Sequence, residues 1–176
     1  MNLHKKISFL AVCVFLIAIA FLQGGCFSVS YGFRDKTSIP DSINLVKVNY
    51  IENKAPYVNP QLSPQLTDKI RQKIVSQTRL KQTNGDNADW EITGEIRDYS
   101  FSTSGISNQR EATNRLSVSV HIVVNKIKEG TTQEYDVSRN FEFSSTLTIE
   151  QAGSSLKDEM IRGLTDDIFN RIFTNW

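Results

Sequence analysis

LSVSVHIVVN, residues 116–125, decides the fold. Leu116, Val118, Val120, Ile122 and Val124 alternate with Ser117, Ser119, His121, Val123 and Asn125. A period of two places one set on each face of a strand, so this strand buries one side and wets the other. Downstream, Lys128-Glu129-Gly130-Thr131 forms a hairpin turn. Tyr135, Val137, Phe141 and Phe143 then alternate with Glu134, Asp136, Ser138, Asn140 and Glu142, a second strand of the same kind. Upstream, Trp90, Ile92, Gly94 and Ile96 alternate with Glu91, Thr93 and Glu95. The phase switches at Asp98-Tyr99, since Tyr99 and Phe101 are odd-numbered, and a bulge there restores one inward face. Residues 102–113 hold Gly105, Asn108, Gln109 and Arg110 and read as a long polar loop.

Further out, Val46, Val48 and Tyr50 share one face of a strand, with Lys47 and Asn49 on the other. A loop with Pro56 and Pro60 leads to a helix over about 62–78. Its cap is Ser63, before Pro64, with Asn59 as the alternative. Leu62, Leu66, Ile70 and Ile74 form its apolar stripe, while Arg71, Gln72 and Lys73 face away. Residues 84–87, Asn-Gly-Asp-Asn, make a turn. Residues 144–155 read as a second polar loop. The last helix begins near Ser155, with Asp158 as a reciprocal cap. Leu156, Met160, Leu164, Ile168 and Ile172 make its stripe, joined by Ile161 and Phe169. Gly163 either weakens that helix or marks a close contact. One-sided strands and two amphipathic helices predict an α/β fold, a two-layer sandwich. Its mixed sheet carries both helices on one face and leaves the other in water.

The whole chain has 176 residues, 20 basic and 19 acidic side chains and 39% hydrophobic residues. That balance excludes a disordered tail, a collagen-like chain and a strongly basic nucleic-acid binder. The first segment, MNLHKKISFLAVCVFLIAIAFLQGGC, does not belong to the fold. Lys5 and Lys6 precede an uncharged stretch over 7–22, which is shorter than a typical membrane span and fits the apolar core of a secretory signal. Gly24, Gly25 and Cys26 follow. The arrangement resembles a bacterial lipobox, with Gln23 where a Leu is usual. Residues 1–25 are then a lipoprotein-type signal peptide. Residues 26–176 are one domain with a lipidated N-terminus at Cys26. The acyl chains would hold that domain on a membrane. No Asp follows Cys26, which favours the periplasmic face of the outer membrane. A short strand is expected over 27–33, where Phe27, Val29, Tyr31 and Phe33 alternate with small residues.

Little in the mature chain points to catalysis or a metal. His121 is its sole histidine and Cys26 its sole cysteine, so no metal set is expected. There is no phosphate loop and no G-x-S-x-G elbow. Asp166 and Asp167 are adjacent on a helix, and Glu91 and Glu95 lie about 13 Å apart along a strand, so neither pair forms an acid/base dyad. No enzyme activity, cofactor or nucleic-acid partner is expected. Arg110 and Arg115 belong to the region of the long polar loop, and Lys126 and Lys128 to that of the hairpin. They are candidate contacts for an anionic lipid, or ordinary solubility charges.

Five stretches, taken together, resemble the LptE family in its Bacteroides-type branch: GGCFSVSYGF, TSIPDSINLVKVNYIENKAPYVNPQLSPQLTDKI, DWEITGEIRDY, SGISNQREATNRLSVSVHIVV and DEMIRGLTDDIFNRIFTNW. The resemblance implies an outer-membrane lipoprotein of lipopolysaccharide transport. It implies a partner, the LptD β-barrel, which such a lipoprotein plugs and helps to assemble. It also implies lipopolysaccharide binding. The competing reading is a periplasmic lipoprotein adaptor for another envelope or peptidoglycan-synthesis complex.

Overall fold

The computed structural model describes residues 39–57, 59–103 and 113–174. The signal segment, Cys26, the expected strand over 27–33 and Arg110 lie outside these residues. The order of elements is β1 (Leu45–Asn53), α1 (Leu62–Gln77), β2 (Lys81–Gln82), β3 (Trp90–Thr103), β4 (Thr113–Lys126), a 3-10 turn (Ile127–Glu129), β5 (Thr131–Ser144) and α2 (Ile149–Phe173). The sheet runs β2-β1-β3-β4-β5. β1 is parallel to β2 and β3, whereas β3, β4 and β5 are antiparallel neighbours. The sheet is therefore mixed, as expected.

Both helices cover one face and touch each other, with Lys73 Nζ 2.6 Å from Asp166 and 5.1 Å above the Phe169 ring. The two stripes are buried as predicted: Leu66, Leu164 and Ile168 are fully covered, as are Leu116 and Val124 beneath them. Aromatic rings close the layer at both ends. Trp90 stacks on Phe173 at 6.0 Å at one end. At the other, Tyr57, Tyr99, Phe101 and Phe143 form a continuous set with centroids 5.5–6.1 Å apart.

The bulge expected near Asp98 is present. Ile96 faces Val120 and Asp98 faces Ser119, so Arg97 is the extra residue. A second bulge was not expected. Val48 pairs with Ile92 but Ile51 with Gly94, so Asn49 and Tyr50 together oppose Thr93. Tyr50 is consequently 53% exposed, and Ile51 takes the inward place instead. Arg71 does not face away. Its Nε and Nη2 donate to the Val48 carbonyl at 3.2 and 2.7 Å, beside that bulge.

Both helix starts differ from expectation. Ser63 is inside α1 and buried, and its carbonyl accepts the Thr67 hydroxyl at 2.7 Å. Asn59 does the turning: its Oδ1 accepts from the Gln61 amide at 3.1 Å and its carbonyl from Leu62 at 3.2 Å. Pro64 falls in the first turn, where its missing N–H leaves no bond unmade. α2 begins six residues before Ser155. Thr148 and Gln151 form its capping box, Thr148 Oγ1 accepting at 3.3 Å and Gln151 Oε1 at 3.0 Å. The added turns are held by tertiary contact: Ala152 is fully buried, and a Cβ on Gly153 would sit 3.2 Å from the Tyr99 hydroxyl. Gly163 marks a close contact, since the Arg139 guanidinium lies where its Cβ would be.

Candidate functional site

The face of the sheet without helices carries the polar half of every strand. Register brings Glu52, Glu95, His121 and Asp136 into one row across four strands. Lys54 and Arg97 flank the row, each two residues from a row member and so on the same face. Glu95 receives Lys54 at 2.7 Å and Arg97 at 2.6 Å. Hydrogen bonding to Lys54 and then Arg97 lowers its carboxyl to about 2, against the opposing effect of burial. The same contact with Glu95 raises the Lys54 ammonium. His121 Nδ1 lies 2.8 Å from Asp136, and its Nε2 lies 3.5 Å from Glu134. Asn49 donates to Glu91 at 2.9 Å one step along the sheet.

Glu52, Lys54, Glu95, Arg97, His121 and Asn49 line a shallow depression of about 580 Å³ between β1, β3 and β4, with Tyr50 also lining it. Charges of opposite sign alternate and neutralise one another across it. Such a surface stays hydrated and offers hydrogen bonds to a broad polar partner. The side chains converge on no reacting atom. Among the described residues, no three His, Cys, Asp or Glu side chains are placed to hold a metal. No described helix is long and apolar enough to cross a membrane.

The candidate anionic-lipid residues fall at two separate places. Arg115 and Lys126 are eleven positions apart on β4, a span of about 37 Å. Lys126 is committed to its own end of the sheet. It lies 4.7 Å above the Trp90 ring and 4.0 Å from Glu129, which in turn accepts from Trp90 Nε1 at 3.0 Å. Lys128 is held by Asp89 at 2.7 Å and by the Ser42 carbonyl at 3.0 Å. Arg115 is less engaged: its Nη2 is 3.9 Å from Glu142, and its buried Nε meets no acceptor among the described residues.

The row through Glu95 was not singled out from the sequence. Glu95 and Arg97 do stand two apart on the polar side of one strand, which is a legible signal. Lys54 and Asp136 join them only through the strand order.

Fold and surface define a small α/β domain that presents a broad charged sheet face rather than an enclosed cleft. Its relatives give that class a family. The lipopolysaccharide-assembly family LptE matches residues 43–172, most of the chain, and the protein belongs to that family. No curated protein matches the sequence. Among solved structures, protein CT253 from Chlamydia trachomatis is similar in fold. It shares 12% identity, covers 74% of this chain and 95% of its own, and gives a TM-score of 0.50. A minor lipoprotein from Acinetobacter baumannii matches at 12% identity over 75% of this chain and 97% of its own, with a TM-score of 0.45. Lipoprotein GNA1162 from Neisseria meningitidis matches at 10% identity over 70% and 99%, with a TM-score of 0.38.

Proposed function

We propose that this protein is the lipid-anchored partner of an LptD-like outer-membrane β-barrel. In that role it plugs the barrel from the periplasmic side and assists its assembly for lipopolysaccharide export. The observation that carries the reading is the LptE match over 43–172, which takes in every described strand, the first helix and all but the last residue of the second. The open sheet face supports it physically. A barrel lumen is wet and polar, and a surface of mutually paired charges enters such a space without stripping bare ions of water. The Cys26 acyl chains hold the domain beside its barrel and raise its effective concentration there. Lipopolysaccharide phosphates are met at the Arg115 end of β4, since Lys126 and Lys128 are already engaged within the domain.

The test is depletion of the lipoprotein in intact cells, with recovery of its complexes through the mature chain. Co-purification of one heavy β-barrel and loss of surface lipopolysaccharide support the reading. A peptidoglycan enzyme in its place, with normal surface lipopolysaccharide, establishes the adaptor alternative. For the anchor, Cys26→Ser abolishes acyl labelling. A mature N-terminus found unlipidated by mass spectrometry refutes it.

A further inference from the structure

The two edges of the sheet are treated very differently. One is β2, two residues long. The other is β5, fourteen residues long, paired to β4 at every position without a register shift. Among the described residues nothing pairs with its second side. Natural proteins usually blunt such an edge with a bulge, a proline, charged side chains (lysine above all) or an inward-pointing charge. β5 has no bulge, proline or lysine, and its charges are three carboxylates on the open face and one inward base. Its one base, Arg139, points to the helix layer, where it lies over Gly163 and reaches Asp167 at 3.3 Å. It does not extend past the edge.

The outward positions of β5 are Thr132, Glu134, Asp136, Ser138, Asn140 and Glu142, with three carboxylates and no base. The Glu134, Asp136 and Glu142 side chains are 65%, 76% and 64% exposed, so their contacts with His121, Arg97 and Arg115 leave much of each carboxylate accessible. A groove of about 520 Å³ runs along the edge beside α2, lined by Asp136, Val137, Ser138, Asp167, Asn170 and Arg171. An added strand would lay one set of side chains into this groove and the other beside the carboxylates.

We propose that the free edge of β5 takes an extended strand from a protein partner, one carrying Lys or Arg at alternate positions. The backbone supplies a row of unused N–H and C=O groups, and strand addition satisfies them. The carboxylates select the partner. A second copy of this chain would double the acidic row on one face, and like charges across a strand pair are destabilising. A strand with cations at every second position meets each carboxylate with the opposite sign. This inference is independent of the barrel reading. It holds for any partner with such a strand.

The test uses the full chain and a ten-residue probe peptide alternating Lys with Thr, followed by hydrogen exchange and a binding titration. A second peptide of the same sequence is N-methylated at every residue, which keeps its charge but removes the N–H donors from both of its edges. The expected result is new protection of amides in β5 with the first peptide and about ten-fold weaker binding with the second. Glu134→Lys with Glu142→Lys should weaken the first peptide by a similar factor while circular dichroism and Tm stay unchanged. Equal binding of the two peptides shows mere charge attraction and overturns the proposal. Two further results also overturn it. In one, the β5 amides that do not bond β4 are already protected in the free full-length chain, so its own residues cover the edge. In the other, protection rises with protein concentration as dimers form.

Discussion

Asp89 ties three elements together, and removing its charge should be felt across the whole domain. One carboxylate oxygen accepts from the backbone amides of Asn44 at 2.7 Å and Leu45 at 2.9 Å, where β1 begins. The other meets Lys128 at 2.7 Å, in the turn between β4 and β5. Its own backbone bonds Leu45 and Ile127, both at 2.9 Å. The residue is only 4% exposed. The Lys128 contact, with the two amides, lowers the carboxyl from its ordinary 3.8 to about 2, against the opposing effect of burial. A folded value below the unfolded one stabilises the fold above the unfolded value, and that stability is lost as pH falls through the folded one. The shift sets an upper bound of about 2 kcal/mol on this charge-dependent part. Asp89→Asn should therefore cost up to about 2 kcal/mol near neutral pH. Asp89→Ala should cost about 2–4 kcal/mol, because it also orphans two backbone donors. Urea unfolding of the wild type and Asp89→Asn, stepped from about pH 7 to about pH 2, measures the difference directly. The gap should hold down to about pH 5, lose roughly half by about pH 3 and nearly vanish near pH 2. A gap that stays constant over that range would refute the argument. So would its absence at neutral pH.

Leu164→Ala, at a fully buried point of α2, should cost about 2–5 kcal/mol in urea unfolding. A loss under 1 kcal/mol would mean the helix layer is not packed there. Gly163→Ala should be near neutral, because a gain of about 1 kcal/mol in helix propensity is offset by displacing Arg139 from Asp167. The same change in an Arg139→Ala background should raise stability by about 1 kcal/mol, and thermal melts of the four variants separate the two effects. Thr148→Ala should cost about 1 kcal/mol and increase amide exchange in the first turn of α2, whereas Ser155→Ala should leave that turn unchanged.

How much was legible follows from what repeats along the chain. The alternation from Leu116 to Val124 and the stripes through Leu66 and Leu164 state which side of each element leaves water. That requirement is local and periodic, so the two-layer sandwich with one wet face was readable from residues alone. The bulge at Arg97 was readable for the same reason, because the inward set changes parity. The bulge at Asn49 and Tyr50 was not. Tyr50 fits an inward position by its chemistry, and only pairing against Thr93, with Arg71 claiming the Val48 carbonyl, turns it outward. The start of α2 was hidden because Gly153, Ser154 and Ser155 are poor helix formers. Burial of Ala152 and the closeness of Gly153 to Tyr99 outweigh that propensity. The charged row through Glu95 needs strand order above all. Glu52, Glu95, His121 and Asp136 come from four separate strands, with Lys54 just past the first, and no spacing along the chain states that those strands lie side by side. Hydrophobic period is a property of one segment at a time. Which segments meet, and hence which charges pair and which edge stays open, is a property of the packed whole.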